Sequence, residues 1–535
     1  MKLLLLIPLL VLSTVISTKA QPLTPQQAVQ EMTRGINIGN SLEAYTEAYT
    51  GNETWWGNPL ITESFIAAVK NAGFNAVRIP ITWGCTNWTF TTPPYTVDTT
   101  FMNRVDTVVT WALKHGLFVI INAHHEIWLK DTLADTKPAD SAGVNSCIAR
   151  FDSIWSQIAT HFQNRSDSLI FEILNEPDPA PEAAVDKLNA QILKIIRRTN
   201  PTRIVSYSGY MWSNSAQLVI AQIPDSSDKY LIGYYHSYDP YPFGLNGGNA
   251  TNSAIISIID SEMTQATTWS HKTGIPVVMG EYGFMKGCTY NPRMYAYATV
   301  VDQALQHGVS PFAWDDGGDF TISNRSTGTF NEIKDIIIHT YPQSPTNLQI
   351  SQITGAIELQ WQNRNTESDS IVVQRGVGNA PQNGVSGVIF ADYAKIGPTD
   401  AAFIDSSITS GSTYYYRLSI TRADSSEMQS YPITITTTPT EVVERNAPYR
   451  FELFNNYPNP FNPSTVIGYQ LAVNSPVTIK VYDVLGREVM TLVNERQTAG
   501  DHSVKFDARN LPSGVYFYRL NAGSFSDTKK LLLLK

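Results

Sequence analysis

Two glutamates that close strongly apolar runs are the residues of this chain best placed to do chemistry. Glu176 closes the run LIFEILNEP (169–177), and Glu281 lies in VVMGEYG (277–283). Runs of this kind are typical of strands buried on both faces, as in parallel sheets. A carboxylate at the carboxyl end of such a strand lies where barrel enzymes place their reactive groups. Two carboxylates that face each other are the groups needed to cut a glycosidic bond, so we expect that chemistry.

Eight strand-like runs separated by helical patterns predict the scaffold that positions these glutamates. The helical stretches carry apolar residues three and four apart, as at Phe101, Val105 and Val108. Eight such βα units predict an α/β fold of the TIM-barrel, (β/α)8, type. An open doubly wound sheet is disfavoured, because GINIGNSLE is a poor phosphate-binding turn. The predicted strands are 34–39, 76–80, 117–123, 169–175, 203–207, 231–238, 276–282 and 310–314.

The polar side chains that follow these strands would lie together on one face of the barrel. Any one of them has an ordinary explanation, such as an arginine paired with an acid or a hydrogen-bonded histidine. A ring of unpaired polar groups would cost stability without return, so the whole set indicates an active site. The set comprises Arg78, His124, His125, Asn175, Glu176, His236, Tyr238, Glu281 and Trp314.

Eight motifs, in order along the chain, resemble those of glycoside hydrolase family 5, a family that includes many bacterial endo-β-1,4-glucanases. They are GINIGNSLEA, ETWWGNP, GFNAVRIPITW, VIINAHHE, FEILNEP, HSYDP, GEYG and FAWDDGGDF. The resemblance covers about residues 25–340. It implies a retaining mechanism in which Glu176 is the acid/base and Glu281 is the nucleophile.

The same resemblance implies roles for the residues around the two glutamates. Asn175 would bind the 2-hydroxyl of the sugar at the cleavage point, and His124 would bind neighbouring hydroxyls. His236 would stay close to the acid/base, and Trp314 would stack on a sugar face. The expected substrate-binding residues are Arg78, His124, His125, Asn175, His236, Tyr238 and Trp314, with Asn40 and Glu43 reaching hydroxyls one sugar further along.

The mechanism requires different protonation states of the two glutamates. Glu281 must be ionised to attack the anomeric carbon, and Arg78 and the Tyr238 hydroxyl are expected to stabilise its charge. Glu176 must carry a proton for the leaving oxygen, and a negative neighbour across the cleft is expected to raise its pKa. A retaining pair should lie about 5–5.5 Å apart.

Other residues near these motifs keep more ordinary interpretations. Glu172 shares a strand with Glu176, and we interpret it as a buried, paired structural acid. For the loop tryptophans Trp56, Trp128 and Trp212, sugar stacking and loop packing are equally compatible with the sequence. Tryptophans within helical stretches are expected in the core, namely Trp111, Trp155 and Trp269.

No metal and no cofactor are expected. Adjacent residues of a strand point to opposite faces, so His124, His125 and Glu126 cannot easily converge on one ion. No other Cys or His pair has ligand spacing, and the acids at 315, 316 and 319 miss the EF-hand pattern.

Composition narrows the classes of partner. The chain of 535 residues has a formal net charge of −9, which argues against nucleic acid and anionic membranes and leaves neutral polymers open. Its cysteines, Cys85, Cys147 and Cys288, can form at most one internal disulfide. Buried, inert thiols are the preferred interpretation, with a disulfide as the alternative. A monomer is expected.

The N-terminal residues 1–20 have the pattern of a signal peptide. Met1-Lys2 is followed by an apolar run from Leu3 to Ile16 and a small-residue cleavage site ending at Ala20. The apolar run is short for a membrane span, and no later run reaches that length. An exported protein without a transmembrane segment is therefore expected, either secreted or attached to the cell surface.

Three domains are predicted after the signal peptide: a catalytic barrel over 21–343 and two all-β, immunoglobulin-like sandwich domains over 345–439 and 450–535. The first sandwich resembles a fibronectin type III module, on the strand with Trp361 and the strand with Tyr414–Tyr416. The second resembles the C-terminal sorting domain of type IX secretion, on NYPNPFNPST, VYDVLGREV and LPSGVYFYRL. This resemblance implies the type IX machinery as a partner. Carbohydrate binding by either sandwich is the alternative.

Together these features predict a retaining, endo-acting hydrolase of β-1,4-glucan, meaning cellulose or a related β-glucan or xyloglucan. A β-mannanase or a licheninase on the same scaffold is an alternative, because these substrates differ by one hydroxyl or by branches. A surface protein that only binds glycan is the rival from another class. The intact pair of glutamates favours the enzyme, because a pure binder needs neither.

Overall fold

The computed structural model describes residues 22–135, 142–366, 368–438, 450–456 and 458–534. The chain divides into two compact units, Met1–Pro439 and Thr440–Lys535. The predicted signal peptide lies outside the described residues. Among the described residues, no helix is both long and apolar enough to cross a bilayer.

Eight parallel strands close into a barrel in which each strand pairs with the next and the eighth pairs with the first. All eight were predicted, and the observed strands are up to three residues shorter at an end because only the paired residues count. The predicted (β/α)8 barrel is confirmed. The strands are β1 Gly35–Asn37, β2 Ala76–Ile79, β3 Phe118–Asn122, β4 Leu169–Glu172, β5 Val205–Tyr207, β6 Leu231–Ser237, β7 Val277–Tyr282 and β8 Ser310–Ala313.

Helices surround the barrel, and their apolar faces pack on the strands. In α3, for example, Phe101, Val105 and Val108 are buried on one face, and Asp98 caps the first turn by accepting the Phe101 N–H. The helices are α1 Pro25–Glu31, α2 Glu63–Asn71, α3 Thr99–Lys114, α4 Ile127–Ala134, α5 Ala142–His161, α6 Glu182–Arg197, α7 Ser215–Ile220, α8 Phe243–Asn246, α9 Asn252–Thr273, α10 Tyr290–His307 and α11 Glu332–His339. A two-stranded sheet of β9 Ser323–Asn324 and β10 Thr329–Phe330 precedes α11.

The amino-terminal end of the barrel is filled by apolar side chains. Ala28 and Val29 of α1 pack there against Ile120, Ile170 and Phe312, which lie on the barrel strands. This plug leaves the carboxyl ends of the strands as the face on which polar groups can meet a ligand.

A β-sandwich, which we call the middle β-module (residues 345–438), follows the barrel in the same compact unit. One sheet contains β11 Thr346–Ile353, β12 Ala356–Gln362 and β15 Ala402–Asp405. The other contains β13 Ile371–Gly378, β14 Ala391–Ile396, β16 Thr413–Thr421, β17 Glu427–Gln429 and β18 Ile433–Thr436. Ile357, Leu359 and Trp361 are buried, and they belong to one apolar cluster with the barrel. The fibronectin type III assignment stays a prediction.

The C-terminal unit is also all-β and has its own apolar core. Its sheets are β19 Glu452–Leu453, β20 Ser464–Leu471 and β23 Gly500–Asp507, and β21 Ser475–Tyr482, β22 Glu488–Gln497, β24 Gly514–Ala522 and β25 Phe525–Leu533. The predicted order of a barrel followed by all-β regions is therefore confirmed. All three cysteines are free and buried, in agreement with the preferred interpretation.

Candidate active site

The two glutamates meet at the carboxyl end of the barrel. Glu281 is the fifth residue of β7, and Glu176 lies in the loop after β4. One carboxylate oxygen of each, together with a ring nitrogen of His236, lie within 4.8 Å of one another. Glu176 has a φ of 37°, a left-handed conformation that is strained for a non-glycine residue and is found most often at functional sites.

Glu281 is held by two charge-stabilising donors. Nη1 of Arg78 lies 2.7 Å from its Oε1, and the Tyr238 hydroxyl donates to its Oε2 at 2.7 Å. Burial and the neighbouring carboxylate raise the pKa of Tyr238 well above its usual value, so the phenol keeps its proton. Both oxygens of Glu281 are therefore stabilised as a carboxylate.

Arg78 is itself fixed by a network of buried side chains. Its Nε and Nη2 bind Glu172 at 2.8 and 2.5 Å, and Nη2 also donates to Asn175 Oδ1 at 2.7 Å. Glu172 is the buried, paired acid that we expected. Arg78, in contrast, was expected to bind substrate. It is fully buried and contacts Glu281 and Glu172, and its expected contact with substrate stays a prediction.

Glu176 has a different partner. Nδ1 of His236 lies 2.8 Å from Glu176 Oε1, while Nε2 is buried with no hydrogen-bond partner among the described residues. Because a buried N–H without an acceptor is costly, the imidazole proton belongs on Nδ1, which donates to Glu176. Burial alone would raise the pKa of Glu176, but this hydrogen bond from His236 and the positive charges of Lys130 and Arg78 lower it. This lowering is opposite to the raised pKa that we expected for Glu176 from the sequence.

His124 and Trp314 lie side by side, with parallel rings whose centroids are 6.0 Å apart. Asn122 fixes the tautomer of His124. Its Oδ1 accepts the Ile81 N–H, so its Nδ2 donates to His124 Nδ1 at 3.0 Å and leaves the Nε2 of His124 as the donor. Burial lowers the pKa of His124 well below its usual value. The ring is therefore a neutral hydrogen-bonding group beside an aromatic plate.

His125 packs edge-on against His124, with centroids 4.4 Å apart, and also contacts Trp56 and Tyr45. Burial, with a contribution from Lys130, lowers the pKa of His125 to about 3. Trp56 is half-buried within this aromatic group, which is compatible with a sugar-stacking wall. The structure brings this group next to His124.

The other two loop tryptophans differ from each other. Trp128 donates to Glu126 Oε2 at 2.7 Å and lies under Arg150, so its ring serves loop packing. Trp212 is 58% exposed, and the next residue, Ser213, accepts the His236 N–H through its carbonyl. Trp212 therefore borders the site.

Asn40 and Glu43 are not equivalent, although both were expected to reach hydroxyls of a sugar. Asn40 is half-buried in a left-handed conformation, and Asn58 holds its carbonyl. Glu43 is fully buried, and its carboxylate accepts the backbone N–H groups of Asn40 and Ser41. Both of its oxygens therefore bind the loop backbone, and a contact of Glu43 with sugar stays a prediction.

Sequence analysis missed two inward-facing asparagines. Asn37 accepts from Arg78 Nη1 at 2.9 Å and donates to the Gly280 carbonyl, and Asn122 donates to Glu172 Oε1 at 2.9 Å. Each is the last residue of a buried strand, where a buried amide needs hydrogen-bond partners. A polar residue at the inner face of a buried strand was the signal available. It also missed Lys130 of α4, which is buried and lies among the charges of the site.

The two glutamates and His236 are the one group of potential metal ligands that meets closely in the described part of the chain. Their two carboxylate oxygens and one ring nitrogen are atoms that could coordinate a cation. Arg78, however, places a permanent positive charge on an oxygen of Glu281, and Tyr238 occupies the other. These contacts disfavour a cation there and favour a reactive pair of carboxyls.

Comparison with known proteins identifies two parts of the chain. Residues 41–319 match the family model Cellulase (glycosyl hydrolase family 5), which is more than half of the 535 residues. Residues 455–534 match a secretion system C-terminal sorting domain.

Two endoglucanases match this chain over about 60% of its length. Endoglucanase H of Acetivibrio thermocellus is 38% identical over 345 residues, covering 62% of this chain and 35% of that protein, so the match spans about a third of its length. Endoglucanase B of Clostridium cellulovorans is 31% identical over 347 residues, covering 60% of this chain and 74% of that protein.

A solved structure agrees with these matches. A broad-specificity endoglucanase from Ruminococcus champanellensis, solved with bound cellotriose, is 30% identical, with a TM-score of 0.54, and covers 59% of this chain and 99% of that one. The family model, the relatives and the barrel that carries the paired glutamates agree, and the chain belongs to glycoside hydrolase family 5, the cellulase family.

Proposed function

We propose that this protein is a retaining endo-β-1,4-glucanase that cleaves cellulose or a related β-glucan by double displacement. The observation that carries the proposal is the approach of the Glu176 and Glu281 carboxylates to within 4.8 Å. A retaining pair stands at about 5–5.5 Å, whereas an inverting pair leaves at least about 6.5 Å for a water molecule. The endoglucanase relatives and the cellotriose-bound neighbour support the β-glucan substrate.

Glu281 is the proposed nucleophile. Arg78 and Tyr238 stabilise its carboxylate and hold both oxygens in place, so one of them can attack the anomeric carbon. The carbon–oxygen bond to the leaving sugar breaks as the bond to Glu281 forms. The product of this step is a glycosyl ester of Glu281.

Glu176 is the proposed acid/base. It gives a proton to the leaving oxygen in the first step and takes one from water in the second. Its side chain is 26% exposed, so a bound sugar that covers it would favour the protonated form by removing water. After the first step Glu281 is uncharged, and His236, Lys130 and Arg78 then favour the ionised Glu176 that activates water.

Substrate contacts follow from the donors that remain free. The Oδ1 of Asn175 is engaged by Arg78, which leaves its Nδ2 for the 2-hydroxyl of the sugar. The Nε2 of His124 is available for a neighbouring hydroxyl, and Trp314 offers an apolar plate. His125 and Asn40 line the same face. We retain these as substrate-binding residues and assign Glu43 to loop support.

The competing functions make different predictions. A surface protein that only binds glycan has no use for a buried network that holds one carboxylate with an arginine and a tyrosine, because burying these charges is costly. The network therefore favours hydrolysis. A β-mannanase or a licheninase would use the same pair, so substrate choice among them depends on the loops.

The remaining regions fit an exported enzyme. We propose a signal peptide over 1–20, a catalytic barrel over 21–343, a fibronectin type III-like domain over 345–439 that contains the middle β-module, and a sorting domain over 450–535. The matched sorting domain supports export by the type IX machinery, followed by release or surface attachment.

The test combines substrate range, stereochemistry and a variant. The enzyme is incubated with cellulose, mixed-linkage glucan, xyloglucan and mannan, and reducing ends and the anomeric form of the new ends are measured. Fastest release from a β-glucan with initial β-anomers is expected. Glu281→Ala should abolish turnover while oligosaccharide binding stays measurable. Initial α-anomers, or unchanged turnover in Glu281→Ala, would contradict the mechanism.

A further inference from the structure

The middle β-module packs on two neighbouring helices of the barrel, α10 and α11. The first of them, α10, directly follows the nucleophile strand and its loop. Of the 18 residues of α10, 13 are buried, from Tyr290 to Ala304. A helix on the outside of a TIM barrel normally leaves one face in water. Here the module covers that face, because Tyr290 meets Tyr415 and Tyr295 meets Tyr431 at ring distances of 5.8 and 5.4 Å.

Polar contacts fix the relative position of helix and module. Asn291 and Thr434 exchange two hydrogen bonds, from Asn291 Nδ2 to the Thr434 carbonyl at 3.0 Å and from the Thr434 N–H to Asn291 Oδ1 at 2.9 Å. Arg364 of the module binds Asp302 at 2.9 Å. Because these contacts are paired and directional, we expect the module to move together with the barrel and not as a domain on a flexible linker.

One tight turn of the module reaches the loop that follows Glu281. The turn Gln382–Val385 has left-handed Asn383 and Gly384 at its tip, with φ of 51° and 69°, and closes by hydrogen bonds between Gln382 and Val385. Asn-Gly is the pair that favours such a two-residue turn. A Cβ at Gly384 would lie 2.8 Å from the carbonyl oxygen of Lys286, so the tip touches the barrel loop directly.

Arg293 of α10 connects this turn to the nucleophile loop. It is fully buried. Its Nη1 donates to the Gly384 carbonyl at 2.8 Å, and its Nε donates to the Phe284 carbonyl at 2.8 Å. Phe284 lies three residues after Glu281, and its N–H is bound by the Tyr297 hydroxyl. The guanidinium therefore holds the backbone just beyond β7 and is itself held by the module.

The same loop is linked, through Asp319 and Phe320, to Tyr238, which donates a hydrogen bond to the nucleophile. Lys286 binds Asp319 through its backbone N–H at 2.7 Å and through its ammonium at 2.9 Å. The next residue, Phe320, packs edge-on against Tyr238, with ring centroids 5.4 Å apart. A shift of the loop would therefore reach both Glu281 and its hydroxyl donor.

We propose that the middle β-module braces the nucleophile loop, and that Arg293, clamped by the Asn383–Gly384 turn, is a positioning residue for Glu281. The module is then part of the catalytic unit. This inference rests on the proposed role of Glu281 as nucleophile. Because a small displacement of a reacting group is costly to the rate, loss of the clamp should lower kcat more than it changes KM.

Two glycines of the same segment provide a matched pair of variants in the full-length chain. Gly384 and Gly387 both have left-handed backbone, with φ of 69° and 60°, so alanine is strained at either position. A Cβ at Gly384 would meet Arg293 Nη1 at 2.5 Å, whereas a Cβ at Gly387 meets nothing within 4 Å. Gly384→Ala therefore disturbs the clamp, and Gly387→Ala reports the strain alone. Removing Arg293 or the whole module is less informative, because the barrel could fail to fold.

The experiment measures amide hydrogen exchange over residues 283–289 together with kcat and KM on a soluble β-1,4-glucan. Gly384→Ala should speed exchange in this loop and lower kcat about tenfold with little change in KM, and Gly387→Ala should match the parent enzyme. Equal behaviour of the two variants, or an unchanged kcat in Gly384→Ala, would overturn the proposal. If the parent enzyme cleaves no β-glucan, the proposed function fails, and loop exchange still decides whether the brace exists.

Discussion

Nδ1 of His236 lies 2.8 Å from an oxygen of Glu176 and at the same time 3.7 Å from an oxygen of Glu281. The imidazole thus stands between the two carboxylates and donates to the one that must exchange a proton. It favours the ionised form of Glu176, which the second step needs, and opposes the protonated form, which the first step needs. The pH range of activity therefore depends on the charges around Glu176.

Lys130 is the charge near Glu176 that can be changed with least disturbance to the ion-pair network. It is buried, and its ammonium makes no hydrogen bond or ion pair within the described residues. Its positive charge lowers the pKa of Glu176, as do His236 and Arg78. Lys130→Met should therefore raise that pKa and move the alkaline limit of kcat/KM upward by about half a pH unit or more.

Lys130→Arg keeps the charge and serves as the control for this pH profile. We expect its alkaline limit to stay near that of the parent enzyme. The remaining groups around Glu176, namely Arg78, His125, Tyr234, His236, Tyr238 and Glu281, are unchanged in both variants. A downward shift in Lys130→Met would show that its charge does not act on Glu176 as described.

Glu176→Gln separates proton donation from nucleophilic attack. The amide cannot protonate a leaving group, so cleavage of β-glucan should fall by about a thousandfold. A dinitrophenyl glycoside needs no proton on departure, so its first step should be far less affected, and the glycosyl enzyme should accumulate as a burst. Equal losses on both substrates, measured by steady-state and burst kinetics, would assign another role to Glu176.

Glu172→Gln tests the ion pair that positions Arg78. Breaking a buried pair leaves an uncompensated charge, so the free energy of unfolding should fall by about 3 kcal/mol. The kcat should also fall, because Arg78 orients Glu281. Glu53→Gln is the control, since it breaks the two-bond pair of Glu53 with Arg104 at 2.6 and 2.8 Å, which lies outside the network of Arg78. Urea unfolding of that variant should show lost stability with retained kcat.

Glu262→Gln tests a pH effect on stability. Burial, together with the negative charge of Asp239, raises the pKa of Glu262 to about 8, although the Ser237 hydroxyl donates to it. A raised carboxyl pKa gives stability that is present below the unfolded value, about 4.3, and is lost as pH rises through about 8. The parent melting temperature should therefore decline from pH 5 to pH 9.

Glutamine at position 262 cannot ionise, so the variant should lose less stability over that pH range. The difference in unfolding free energy should be about 2 kcal/mol or more at the alkaline end. Asp260→Asn, whose parent side chain on the same helix is 57% exposed, should keep the parental decline. Identical slopes for Glu262→Gln and the parent would show that Glu262 does not carry the effect.

The fold and the positions of the two glutamates could be predicted because local patterns encode them. Short apolar runs predict buried parallel strands, and apolar residues three and four apart predict helices. The carboxyl ends of parallel strands lie on one face of a barrel, so residues that follow the strands can be placed together. Glu172 could be interpreted as a paired acid for the same reason. Those features depend on neighbours along the chain.

Only the tertiary structure decided which groups those side chains meet. Arg78 touches Glu172 and Glu281, which lie 94 and 203 positions away, because barrel closure brings β2, β4 and β7 together across the interior. The loop backbone engages both oxygens of Glu43, and His236 and Lys130 lower the pKa of Glu176, which was expected to be raised. The outer face of α10 packs against the middle β-module. The periodicity of apolar residues predicts which face of its strand or helix a residue occupies. Which side chain it contacts there depends on barrel closure and on the packing of segments that are distant in the sequence.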